Sequence, residues 1–187
     1  MAGLQSLSQV KQAMQEYQFH PRKKWGQNFL VDRNITNKII ESCMPIDGQY
    51  VVEIGPGLGA LTGTLAQRSL GVLAIEIDHG FEPILSELTV QHDNVRLLFA
   101  DVLSIDIEQE LMRAFALKEV PSYMVCANIP YNITSPILFK LLEQCSSLTA
   151  ATLMIQKEVA QRIVAGPGSK TYGLLSISAG YYATSQY

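Results

Sequence analysis

From Tyr50 onward, short continuous apolar runs alternate with segments of helical character, and few folds accept that pattern. "YVVEI", "VLAIEI", "VRLLFA", "SYMVCA" and "ATLMIQ" read as strands. "ALTGTLAQR", "FEPILSEL", a stretch from about Ser135 to Gln144 and another around Val159 to Val164 read as helices. Strands without polar alternation are buried on both faces, and helical crossovers between them make the sheet parallel. The expected fold is therefore α/β, a mostly parallel sheet with helices on both faces. The final apolar run, "LLSISAGYYATS", is expected to add a strand running almost to Tyr187, so that the chain looks cut inside or just after its sheet.

Ahead of the sheet, Leu4, Leu7, Val10, Met14 and Tyr17 recur at three- and four-residue steps and predict a short amphipathic helix. Asp32 stands where a helix cap would, ahead of Ile35, Ile39 and Ile40, and Pro45 with Gly48 marks the stop. With 187 residues, 48% of them hydrophobic, the chain fits one large domain. A net charge of -3 gives no global attraction for nucleic acid, so such a partner has to be held by local patches. Arg22, Lys23 and Lys24, followed by Trp25, form one such patch. Cys43, Cys126 and Cys145 show neither a C-x-x-C pair nor zinc-site spacing, which predicts a reducing compartment and no bound metal. No run approaches the ~18 apolar residues that span a bilayer, and no secretory leader pattern opens the chain; a cytoplasmic protein without membrane contact is expected.

"VVEIGPGLGALT" puts Gly55, Gly57 and Gly59 between a strand and a helix. Glycines there let backbone approach a ligand, and the helix start offers unpaired N–H groups. Glu76 closes the next strand, where a carboxylate can accept from both hydroxyls of a ribose, and Asp101 is expected to end the third strand in "LLFADV", placed for the exocyclic amine of an adenine. The spacing is neither G-x-G-x-x-G nor a P-loop, which needs a Lys-Ser/Thr pair. With Glu53 two residues before Gly55 it is E-x-G-x-G-x-G, the spacing of S-adenosylmethionine (SAM) methyltransferases.

The fourth strand ends on Asn128 in "NIPY". The amine of adenine is a poor nucleophile because its lone pair is delocalised into the ring. The Asn128 side-chain oxygen and the Ile129 carbonyl can accept its two protons and turn the lone pair toward a methyl donor. Pro130 fixes the loop, and Tyr131 offers a ring on which the target base can stack.

Over essentially its whole length from Lys24, the chain closely resembles the KsgA-type ribosomal RNA adenine dimethyltransferases. "GQNFLVD", "VEIGPGLGALT", "EID", "ADVL", "NIPYNITSPIL" and "QKEVAQRIVAGPGSKTYGLLSI" match that family in order. The resemblance implies a Rossmann-like SAM-dependent methyltransferase fold with a seven-stranded sheet over residues 25–187, preceded by an N-terminal helix and basic segment over 1–24. It also implies that Asn28 and Leu30 contact SAM, with Gln27 adjacent, together with Gly55, Gly57, Glu76, Ile77, Asp101, Val102 and Asn128. The expected reaction places two methyl groups on each of two adjacent adenosines in a hairpin loop near the 3′ end of small-subunit (16S) rRNA, leaving S-adenosylhomocysteine and serving ribosome biogenesis. The expected partner is rRNA in the small subunit or its precursor, and the expected state is a monomer.

Lys157, Arg162 and Lys170, with Arg22 to Lys24, are candidate phosphate contacts, and Tyr172 is a candidate to close over the target base. The family carries a smaller helical domain after the sheet, and this sequence stops at Tyr187 before one. Alternatives are the large-subunit (23S) relatives, an adenine methyltransferase acting on DNA, a glutamine methyltransferase, a domain binding another nucleotide such as NAD, and an assembly factor whose binding matters more than its catalysis. Ile129, where D-P-P-Y and N-P-P-Y enzymes carry proline, argues against the DNA and glutamine readings.

Overall fold

Asp32 starts the helix ahead of the sheet by local chemistry: its carboxylate accepts from the Asn34 N–H at 2.8 Å, satisfying a donor that the first helical turn leaves open. The computed structural model describes residues 12, 16, 30, 32–43 and 47–187. Of the expected helix over Leu4 to Tyr17 only Gln12 and Glu16 are described, both helical, and the basic patch Arg22 to Lys24 lies outside the described residues. Helix α1 spans Arg33–Ser42 and buries Thr36, Ile39 and Ile40; Thr36 takes the inward place expected of Ile35, which is exposed.

Five strands follow: β1 (Tyr50–Ile54), β2 (Gly71–Glu76), β3 (Val95–Phe99), β4 (Tyr123–Asn128) and β5 (Leu148–Met154). The helices among them are α2 (Thr62–Arg68), α3 (Glu82–Gln91), α4 (Ile107–Phe115), α5 (Thr134–Gln144), α6 (Lys157–Ile163) and α7 (Leu174–Tyr182). All paired strands are parallel, in the order β3-β2-β1-β4-β5. Successive side chains of β1 point to opposite faces: Val51 packs with α1 and α2 on one face, whereas Val52 and Ile54 pack with α4 and α5 on the other. Burial on both faces is why these strands read as unbroken apolar runs.

Two elements depart from the sequence reading. The sheet has five strands among the described residues rather than seven, and the last apolar run is helix α7, not a strand. Its inward residues, Leu175, Ser176 and Ala179, are one, three and four positions apart, a helical stripe. Ser176 Oγ accepts from the Gly173 N–H at 3.2 Å and donates to the Arg162 carbonyl, which ties the start of α7 to α6. The second departure is α4, which the sequence reading passed over. Asp106 caps it by accepting from the Gln109 N–H at 3.0 Å, and Ile107 and Leu111 bury its inner face. This helix supplies the crossover that parallel β3 and β4 require. Among the described residues no helix is long and apolar enough to cross a membrane.

Gly59 marks a point where any other residue is strained. Its φ is +73°, and a Cβ there would overlap Leu88 Cδ1 of α3, a side chain itself buried in the core. Gly59→Ala is therefore expected to lower unfolding free energy by roughly 2–4 kcal/mol, combining left-handed strain with overpacking. Urea denaturation measures it; a loss below about 0.5 kcal/mol would show that the loop and Leu88 relax freely.

Candidate active site

In this strand order the chain adds β2 and β3 on one side of β1, then returns to place β4 on the other. Such a reversal opens a crevice beyond the carboxyl ends of β1 and β4. The glycine loop leaves β1 into this crevice. Gly55, at φ +71°, donates its N–H to the Ile75 carbonyl at 2.9 Å, and the chain then rises over Gly57 and Gly59 into α2. A Cβ on Gly55 would meet only the Asn128 carbonyl, at an ordinary 3.8 Å. Glycine is thus required at this position by conformation rather than by space, and the same distance shows how near the loop comes to the end of β4.

Glu76 ends β2 and is 5% exposed. Its Oε2 accepts from the Gly57 N–H at 3.0 Å, and its Oε1 accepts from the N–H groups of Ile77 and Asp78, both at 2.9 Å. One carboxylate therefore locks the glycine loop to the end of β2, and about one of its four lone-pair positions remains. Burial pushes its pKa above the ordinary value; the three N–H donors oppose that shift, and the nearby Asp78 charge adds to it. Asp101 lies two residues beyond β3 and is exposed, its Oδ1 accepting from the Leu103 N–H at 2.9 Å. The backbone of the same residue accepts from the N–H and hydroxyl of Ser104, which closes a tight turn.

Asn128 is the last residue of β4. Beyond it, the Ile129 N–H donates to the Met154 carbonyl at 3.1 Å and its side chain is buried, so the chain is fixed before the loop turns. The Pro130 carbonyl accepts from the Ile133 N–H at 3.2 Å and is committed to the turn over Tyr131–Ile133. Among the described residues no backbone N–H donates to the Ile129 carbonyl.

These strand ends enclose a cavity of about 360 Å3, within the size range of small-molecule sites. Leu30, Gly55, Gly57, Glu76 and Ile77 line it, as do Asp101, Val102, Asn128, Ile129 and Pro130. Gln27 and Asn28 lie outside the described residues. Tyr131 does not line the cavity; the residue is 47% exposed on the turn that follows. Lys157 and Arg162 on α6, and Lys170 and Tyr172 beyond it, are exposed and away from the cavity wall.

The structure adds residues that the sequence reading left out of the site. Leu58, Phe81, Leu103 and Asn132 are among those on the wall. Asn132 and Leu103 sit beside motif residues and could have been found that way, whereas Phe81 arrives through the fold alone. Glu53 also lines the cavity, with 1% exposure and an Oε2 that has no hydrogen-bond partner among the described residues. Burial pushes its carboxyl up to about 8, so it is mostly neutral at pH 7. Thr62 of α2 opposes the shift without completing a hydrogen bond, while the nearby Glu76 and Cys43 reinforce it.

The cavity thus has a carboxylate at each of two strand ends, a backbone loop open to ligand, and an amide paired with a carbonyl at the third. Comparison with known proteins agrees with that arrangement. The family profile described as "Ribosomal RNA adenine dimethylase" matches residues 18–187. "Ribosomal RNA small subunit methyltransferase A" of Alkaliphilus oremlandii is 42% identical over 183 residues, covering 98% of this chain and 63% of the relative. The protein of the same description from Bacillus pumilus is 45% identical over 174 residues, covering 92% of this chain and 59% of the relative. The chain therefore spans less than two thirds of the length of these relatives.

Among solved structures, a dimethyladenosine transferase from Plasmodium falciparum aligns with a TM-score of 0.66 at 29% identity, covering 81% of this chain and 51% of that one. The 23S rRNA methyltransferase ErmE aligns with a TM-score of 0.62 at 32% identity, covering 72% and 50% respectively. The fold is the Rossmann-like methyltransferase fold, and the chain belongs to the ribosomal RNA adenine dimethylase family.

Proposed function

We propose that the chain is the catalytic core of a SAM-dependent enzyme that dimethylates N6 of two adjacent adenosines in small-subunit rRNA. The observation that carries this reading is the approach of Asn128 and Ile129 to the glycine loop across the switch point.

The residues present fit SAM. Asp101 retains acceptor capacity on Oδ2 for an adenine amine, Ile77 and Val102 give the ring apolar walls, and Glu76 retains a lone pair for a ribose hydroxyl. The glycine loop leaves room at the other end for the amino-acid part. When bound, SAM supplies an electrophilic methyl group.

Asn128 Oδ1 and the Ile129 carbonyl accept the two protons of the target amine, holding its lone pair out of conjugation with the ring. A neutral amide has no useful proton affinity at pH 7, so the proton leaves after transfer, when the nitrogen carries positive charge. Tyr131, exposed on the turn after Pro130, stacks on the target base, worth about 1–3 kcal/mol. For the second transfer one of the two acceptors has to release its partner and accommodate a methyl group. Lys157, Arg162 and Lys170 contact phosphates, and Tyr172 covers the base from its other side.

The likeness to ErmE favours a large-subunit adenosine as the second reading. Labelled SAM with unmethylated small subunits and, separately, with 23S rRNA, followed by nucleoside digestion and mass analysis, separates the two. N6,N6-dimethyladenosine from 16S rRNA alone is expected. Product from 23S rRNA alone would overturn the small-subunit assignment. No product from either would overturn the reaction.

A further inference from the structure

Lys140 stands in the middle of α5, is only 9% exposed, and faces no carboxylate within ion-pair distance among the described residues. An ammonium removed from water persists only where other acceptors replace the water, since desolvating a charge is costly. Here the replacements are two backbone carbonyls and an amide. Nζ donates to the Ile105 carbonyl at 2.6 Å, to the Leu103 carbonyl at 3.4 Å and to Gln144 Oε1 at 3.3 Å. Its three donors are thereby used.

Those carbonyls belong to the segment that carries Asp101. The Asp101 side chain accepts from the Leu103 N–H, and its carbonyl accepts from Ser104, so residues 101–105 move as one turn. Asp101, Val102 and Leu103 of that turn form one wall of the cavity. At the other end of the connection, α5 is anchored by buried Ile137 and Leu141 against the sheet and begins directly after the Tyr131–Ile133 turn. Lys140 is thus the tie between the Asp101 turn and the helix that issues from the Asn128 loop. A neutral or shorter side chain would leave the Leu103 and Ile105 carbonyls without this donor and release the turn from α5.

We propose that Lys140 is a positioning residue that pins the 101–105 turn to α5 and so holds Asp101 in register to read the exocyclic amine of an adenine. The inference rests on the SAM reading of the cavity. It assigns adenine selectivity to a side chain that touches neither ligand nor reacting atoms.

The test is calorimetric titration of the wild-type chain, Lys140→Met and Lys140→Arg with S-adenosylhomocysteine and with its inosine counterpart, which carries a carbonyl where adenine has its amine. The wild type is expected to prefer the adenine ligand by at least tenfold. Lys140→Met is expected to reduce that preference to threefold or less, and Lys140→Arg, which keeps donors for both carbonyls, to retain most of it. A merely structural role would weaken both ligands by the same factor and leave their ratio unchanged; that result overturns the proposal. An unchanged affinity for both ligands in Lys140→Met overturns it as well. Should Lys140→Met not fold, Gln144→Leu, which removes one of the three acceptors and lets the ammonium shift, is expected to lower the ratio by at least twofold; an unaltered ratio there counts against the tie. If the wild type binds neither ligand, the SAM reading itself fails, an outcome distinct from a variant that binds with intact selectivity.

Discussion

Asn128→Ala is expected to reduce single-turnover methyl transfer by about 10^2–10^3-fold while changing SAM affinity by no more than about tenfold. The larger figure is what removing one preorganised electrostatic partner from a transition state costs, and the smaller is the worth of one hydrogen bond in the ground state. The asymmetry follows from position. Asn128 ends β4 beside the Ile129 carbonyl, where in the proposed mechanism the two together take both amine protons, whereas the adenosine part of the cofactor is proposed to lie at the ends of β2 and β3, near Glu76 and Asp101. Rapid-quench assays at saturating SAM, paired with calorimetry, measure both quantities. An Asn128→Ala variant within threefold of wild type in the chemical step would remove Asn128 from the mechanism.

The second large effect concerns stability. Burial raises the Glu53 carboxyl from 4.5 to about 8 in the folded chain. Between those values the folded protein keeps a proton that the unfolded chain has lost. Stability from this group is therefore fully present below about pH 4.5 and is lost as pH rises through 8, at about 1.4 kcal/mol per pH unit. The span of 4.5 to 8 gives a loss of about 5 kcal/mol at most. Glu53→Gln keeps the shape without the proton and should flatten this slope. Glu76, whose pKa is also raised, remains in both proteins, so the difference between the two urea-denaturation curves isolates Glu53. Parallel pH profiles for wild type and Glu53→Gln would show that Glu53 is solvated or paired in solution.

The parts of the site legible in the sequence are those written as strand ends. Gly55, Glu76, Asp101 and Asn128 each follow a short apolar run, and a parallel sheet necessarily gathers the carboxyl ends of its strands on one edge. Helix α4 carries its own signal too, since Asp106, Ile107 and Leu111 give a cap and a four-residue step, though charged residues stand between them. Helix α7 was not legible. Leu174, Ile177 and Tyr181 are exposed among residues as apolar as the buried ones, so hydrophobicity alone carries no period there. Lys140 was invisible for a different reason. Its partners are carbonyls 35 and 37 residues earlier, and backbone acceptors leave no mark on a sequence. Glu53 was visible as a motif letter, yet its burial beside Thr62 comes only from α2 closing over it.

The most direct test of the central claim, that this cavity presents a methyl donor to the Asn128–Ile129 shelf, is a crystal structure of the chain with S-adenosylhomocysteine bound. The account predicts the adenine amine at Asp101, the ribose hydroxyls at Glu76 and the sulfur facing Asn128 and the Ile129 carbonyl. A ligand bound in this cavity with its sulfur turned away from Asn128, or bound elsewhere on the chain, would contradict it.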